Sequence, residues 1–255
     1  MRCAVPQIWR SERALLSPVE EPIAPAVSCI YYEAQIEWHF GEIDSCQATM
    51  VEAISLAKEL NDMHALANAL WHAAALAQYE RNPAEVECYS SDLIELSTRH
   101  NFAFWLSGGA ILRGWARSVS GDTAEGISWM EQGLRDLRAT GTVLALPGYL
   151  ARKAEALHIA DRTSEGLEAI DEAEALAERF ENRYWSAELN RLRAVFLATL
   201  GAEESQIEAS FYEAIRIAKE QKSVSLEKRA EATYAEYRRQ KASGSGERGF
   251  RLPLC

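Results

Sequence analysis

The chain has 255 residues, a formal net charge of −11, 48% hydrophobic and 25% charged residues. This is ordinary for a globular protein and long enough to bury a sizeable core. The acidic balance and the absence of any run of five basic residues argue against direct DNA binding, which draws much of its affinity from neutralising phosphates. The five cysteines (Cys3, Cys29, Cys46, Cys88 and Cys255) are odd in number and form no CxxC pair. Neither a zinc site nor a disulfide framework is signalled, and a reducing cytosol is the expected compartment.

In chain order, residues 1–26 come first as an irregular Pro-rich segment holding Pro6, Pro18, Pro22 and Pro25. Arg10, Glu12 and Arg13 interrupt any apolar signal-peptide core there. No stretch of about 18 apolar residues occurs anywhere, so no transmembrane helix is predicted.

From residue 27 the chain repeats. Small residues recur at Ala34, Ala74, Gly114, Ala154 and Ala194, 40 apart, as expected where two helices approach closely. Helix-breaking turns recur independently at Gly41, Arg81, Gly121, Asp161 and Gly201, each in a polar Gly, Asn, Asp or Pro context. Between the breaks, stripes such as Met50, Ala53, Ile54, Ala57 and Leu167, Ile170, Ala173, Leu176 follow helical spacing, with Glu-rich opposite faces. The spacing predicts helix pairs at about 27–62, 63–101, 102–141, 142–182 and 183–222, and half a pair at 223–239. The predicted fold class is all-α, a tetratricopeptide-like right-handed solenoid, and residues 241–255 are expected to be a disordered Gly/Ser-rich tail.

The 40-residue period fits HEAT or armadillo units better than tetratricopeptide units of about 34 residues. The residue pattern resembles the tetratricopeptide motif instead: Ala154 is followed by Gly166, Ile170 and Ala173, Gly114 by Gly126, Met130 and Gly133, and Ala34 by Cys46, Met50 and Ala53. The longer phrases FWLSGGAILRGWARS (104–118), GYLARKAEALHIADRTSEGLEAIDEAEALAE (148–178) and YWSAELNRLRAVFLATLG (184–201) resemble the tetratricopeptide-rich tails of large bacterial signalling proteins. Those are predicted-ATPase regulators, often headed by a class III adenylate or guanylate cyclase or a winged-helix domain. The resemblance spans roughly residues 28–240 and implies a regulatory, non-catalytic module. No GxxxxGK[ST] loop and no cyclase carboxylate pair is present, so the chain reads as an isolated tail, from a truncated or frameshifted gene.

Ser107-Gly108-Gly109 lacks the strand and the Lys-Ser/Thr of a phosphate loop, and reads as close helix packing. His39, His64, His72, His100 and His158 form no metal-ligand pattern. Glu172, Glu174, Glu178 and Glu181 read as a solvated face rather than an acid/base cluster. No cofactor or metal is expected.

In a tetratricopeptide-like stack the first helix of each pair lines a concave groove. Positions three before and one or four after the small-residue column, with Glu188, nominate Tyr31, Gln35, Trp38, Trp71, Gln78, Ile111, Trp115, Glu155, His158, Glu188 and Arg191 as protein-binding residues. Exposed Trp, Tyr and Arg are typical anchors; the alternative is that Trp38, Trp71 and Trp115 pack as core. The expected partner is a protein or peptide, with no nucleic acid and no membrane. Leu226, Ala230 and Tyr234 in the half pair expect a covering helix, so self-association through that end is a further expectation.

Overall fold

The computed structural model describes residues 24–243. Among them are eleven α-helices and no strand. They are α1 (Pro25–Phe40), α2 (Ile43–Glu59), α3 (Met63–Tyr79), α4 (Pro83–His100), α5 (Ala103–Val119), α6 (Thr123–Ala139), α7 (Leu146–Ile159), α8 (Thr163–Arg179), α9 (Ser186–Thr199), α10 (Glu204–Glu220) and α11 (Val224–Ala242). A short 3-10 turn, Arg183–Trp185, precedes α9. No helix among the described residues is long and apolar enough to cross a membrane. The all-α solenoid predicted from the repeat is the fold observed.

The helix ends explain the period. Gly41, Arg81, Gly121, Asp161 and Gly201 all take positive φ. At the first of them, Gly41 N–H donates to Trp38 O and Glu42 N–H to Glu37 O, which satisfies carbonyls left free at the helix end. A second series, Asn61, Asn101, Gly141, Glu181 and Lys222, does the same midway between. Every helix therefore stops after about one 20-residue step. Asp62, Asn82 and Ser223 then cap the next helix by accepting from Ala65, Glu85 and Leu226 N–H.

The small-residue column is where the two helices of a pair touch. Ala34, Ala74, Ala154 and Ala194 are fully buried. A Cβ on Gly114 would lie 2.6 Å from the Gly126 carbonyl oxygen, and one on Gly166 would lie 3.0 Å from that of Ala154. Any larger side chain would push α5 from α6, or α7 from α8.

The odd-numbered helices form an inner layer and the even-numbered ones an outer layer. Each inner helix packs on the next, and α11 returns to pack on α1. His39 Nδ1 lies 2.6 Å from Ser223 Oγ, Ser225 Oγ donates to Trp38 O at 2.5 Å, and Val224 Cγ1 lies 3.5 Å from the Cβ position of Gly41. The inner layer is thus closed around an axis. The end expected to lie uncovered is packed: α11 also meets α9 and α10, Leu226 and Ala230 are buried, and the Tyr234 ring lies 5.1 Å from that of Phe211.

Candidate interaction surface

The axis is filled by the ends of the inner helices. Tyr79, the last residue of α3, stacks on Trp38 of α1 with ring centroids 4.6 Å apart. The Arg229 guanidinium of α11 lies over both rings, at 5.8 and 5.6 Å, and donates to the Tyr79 carbonyl. From the opposite side, Arg152 of α7 lies over Trp185 at 5.2 Å, Tyr79 at 5.8 Å and Tyr149 at 5.9 Å. Such cation–π contacts strengthen when water is excluded. Trp71 Nε1 donates to Tyr149 Oη at 2.6 Å, joining α3 to α7. Gly108 makes room for that bond, since a Cβ there would lie 3.0 Å from Trp71 Nε1. The Ser-Gly-Gly segment is a packing feature, as its helical setting implied.

Two carboxylates, Glu155 buried and Glu188 half-buried, stand among these cations. Glu188 accepts from Arg191 at 2.7 and 2.9 Å and faces Arg229 at 3.5 Å. Glu155 accepts from Trp115 Nε1 at 2.7 Å and pairs with Arg81. Burial alone would raise both carboxyls, but the arginines outweigh it. Glu188 is held down at about 2 by Arg191 and Arg229, and Glu155 is lowered by Arg81 and by the Trp115 bond. Both are ionised near neutral pH, so neither can donate a proton as a general acid there. Their chemistry is that of ion-pair struts. Arg152 donates to Gly148 O at 3.0 Å, while its Nε and Nη2 have no partner.

Of the eleven residues nominated from the repeat, Trp38, Trp71, Gln78, Trp115, Glu155, Glu188 and Arg191 belong to this cluster, and few of the eleven face solvent. Tyr31, Trp38, Gln78, Ile111, Trp115, Glu155 and Arg191 are buried, and Gln35, Trp71, His158 and Glu188 are half-buried. Tyr31 and Gln35 are spent on α3, through bonds to Asn68 and His72. His158 bonds Thr163 and lies beside the Phe196 ring. Residues missed by the sequence reading are Tyr79, Arg81, Arg152, Trp185 and Arg229. The available signal for Arg152 was a lone charge two positions before the small-residue column, where α3, α5 and α9 carry His72, Leu112 and Leu192.

An open concavity lies on the outside, between α6 and α8 with α7 beneath. It measures about 390 Å³. Leu134, Leu150, Leu157 and Ala169 form its apolar floor, and Glu131, Arg135, Arg138, Lys153, Glu165, Glu168 and Glu172 its rim. Arg138–Glu172 at 2.5 Å and Lys153–Glu131 at 3.3 Å bridge parts of the rim. No group of three or more potential metal ligands comes together among the described residues.

Paired helices in two layers, small residues at the pair contacts and a wide polar outer groove define a tetratricopeptide-like helical repeat. The family model described as Anaphase-promoting complex subunit 5 matches residues 28–80 and 157–239, just over half of the chain. The chain belongs to that family of tetratricopeptide-like repeats. An uncharacterized protein of Rhizobium meliloti (strain 1021) is 29% identical over 194 residues, which is 76% of this chain and 19% of that protein. The chain therefore spans about a fifth of the length of the curated relative it matches. Among solved structures, Bacillus thuringiensis PlcR, crystallised in complex with the peptide PapR7 and DNA, is similar with a TM-score of 0.63 at 16% identity, over 82% of this chain and 74% of PlcR. That likeness is one of fold.

Proposed function

We propose that the chain is a non-catalytic protein–protein interaction scaffold that holds its partner on the outer groove of α6, α7 and α8. The observation that carries this reading is the groove itself. It has an apolar floor under a rim of both charges, on a molecule whose inner face is occupied by its own side chains. Apolar floors give affinity and charged rims give register. PlcR, a protein of similar fold, was solved with a bound peptide, which supports a peptide or protein partner here.

The setting we propose is that of a regulatory tail, as the resemblance to bacterial cyclase and ATPase signalling proteins implies. The much longer Rhizobium relative supports a place within a larger polypeptide. On the alternative reading, a fragment of a cyclase or ATPase regulator, the catalytic head is what is missing. The purified chain is expected to show no ATP turnover, and measurable turnover would contradict the scaffold reading.

A second reading keeps the inner face as the recognition surface. Arg152 favours it, because its unpartnered Nε and Nη2 would donate to a partner's carboxylate once α11 moved aside. A photo-crosslinking residue at 168, on the groove rim, at 178, on the same helix outside it, and at 155, on the axis, separates the readings. Partner adducts at 168 alone support the outer groove. Adducts at 155 alone support the inner face, and equal adducts at 168 and 178 contradict both.

A further inference from the structure

Between successive outer helices the described residues form grooves, each floored by the inner helix between. Over α5, α7 and α9 the groove is crossed by an ion pair, and over α3 it is not. In each crossed groove a cation stands one position before the small-residue column and reaches a carboxylate of the preceding outer helix. Arg113 of α5 donates to Glu87 of α4 at 2.7 Å and lies over Trp129 of α6 at 4.7 Å. Lys153 of α7 pairs with Glu131 of α6 at 3.3 Å. Arg193 of α9 pairs with Asp171 and Glu174 of α8. In α3 the register mate of these cations is Ala73. In α2 the mate of Glu131 and Asp171 is Val51, and that of Glu87 is Gln47.

Without the ion pair, the space between α2 and α4 over α3 is an apolar groove of about 200 Å³. Met50, Val51, Ala73, Leu76, Ala77 and Tyr89 line it, and Val51 is 56% exposed. It is smaller than a typical small-molecule pocket of about 300–1,000 Å³, and suits a side chain of a protein partner. Its charged lining residues are Glu80 and Glu85, both acidic. Neither forms an ion pair among the described residues. Glu80 accepts from Gln47 Nε2 at 2.7 Å. Burial raises the Glu80 carboxyl and Glu85 raises it further, against the Gln47 bond, as expected of an acid short of a counter-charge.

We propose that this groove is a second docking site, for a partner segment that carries a large apolar side chain beside a lysine or arginine. The apolar side chain occupies the space over Ala73, where the other inner helices send a cation. The partner's cation meets Glu80 and Glu85. Charge selects this occupant. An acidic segment would add a like charge to the two carboxylates, and a purely apolar one would strip them of water without a counter-charge. The net charge of −11 also favours encounter with a basic segment. The groove over α7 has Arg135, Arg138 and Lys153 on its rim, so the two sites differ in chemistry, and this one does not depend on the reading of the other.

Selection from a random-peptide phage library on the full chain, with counter-selection on a filled-groove variant, tests the proposal. That variant, Ala73→Arg with Val51→Glu, copies the ion pair that α7 and α9 make at these positions. Peptides that prefer the unaltered chain are expected to carry a large apolar residue next to lysine or arginine, and to bind the filled variant at least about tenfold more weakly. Glu80→Gln with Glu85→Gln, at a half-buried and an exposed position, is expected to weaken them about tenfold as well and to remove most of the salt dependence of their affinity. The glutamine pair decides alone should circular dichroism show the filled variant unfolded. The proposal is overturned if no selected peptide distinguishes the chain from the folded filled variant, if those that do are acidic, or if the glutamine pair leaves their affinity unchanged. Peptides that lose affinity with Arg138→Ala instead seat on α6, α7 and α8, which upholds that groove and overturns this one.

Discussion

Helices α7 and α8 belong to one pair and use their charged residues oppositely. Outer helix α8 turns Glu165, Glu168, Glu172 and Glu178 to solvent and buries Gly166, Ala169, Ile170 and Ala173. Inner helix α7 buries Arg152 and Glu155 along with Tyr149, Ala154 and Leu157. The same contrast runs through the two layers. An outer helix has one side in water, so its charges cost nothing to solvate and its ion pairs contribute little. An inner helix such as α7 has neighbours on most sides once α11 closes on α1, so a charge turned to the axis needs a partner inside. Ring closure and buried ion pairs are therefore one feature.

The largest way to break the contrast is Glu188→Ala, which strands Arg191 and Arg229 in the interior. A loss of about 3–5 kcal/mol is expected in urea unfolding. An effect as small as that of a solvent-facing glutamate such as Glu178 would mean the axis is wet.

Acid sharpens the same point. Burial lowers His72 to about 3, and it lowers His39 as well. The folded state resists protons that the unfolded chain accepts below about 6.5. Stability is therefore full above pH 6.5 and falls as pH drops from there toward 3, by about 1.4 kcal/mol per unit for His72 alone. Glu188 adds to the loss only below its unfolded value, as pH falls from about 4.5 toward 2. In His72→Phe, the slope of unfolding free energy between pH 6.5 and 5 is expected to flatten. An unchanged slope would place the titration elsewhere.

The contact between layers is tested by Gly126→Ala. The added methyl collides with the Gly114 carbonyl oxygen, and backbone cannot swing aside as a side chain can. The change should cost about 1–3 kcal/mol, although alanine favours helix by up to about 1 kcal/mol. A gain in melting temperature would show the two helices further apart than described. The smallest effect is expected from Arg138→Ala, which breaks the exposed Arg138–Glu172 pair. It should cost less than about 1 kcal/mol while weakening partner capture by the outer groove.

The repeat was legible because two kinds of residue report it locally. Small residues mark helix contacts, and Gly41, Gly121, Asp161 and Gly201 mark left-handed turns. The second turn series was only half legible: Asn61, Asn101 and Gly141 carry the signal, whereas Glu181 and Lys222 take positive φ with no local signature. Closure of the ring was not legible. It sums small rotations over five pairs and ends in contacts such as His39–Ser223, 184 residues apart. For that reason nominated residues such as Trp38, Trp115, Glu155 and Arg191 are buried rather than lining an open groove. Arg152 and Arg229 were hidden for the same reason, since an arginine in an amphipathic helix ordinarily reaches water.

The most direct test is a disulfide across the closure, between Gly41→Cys and Val224→Cys, in a chain with its native cysteines replaced. The Cβ positions lie 4.0 Å apart, within bonding range. Strain at the left-handed Gly41 should cost about 1 kcal/mol. The account predicts near-complete intramolecular linkage on mild oxidation, with the helical circular dichroism unchanged. A folded monomer that stays unlinked would contradict it, and would show an open solenoid with a free inner face.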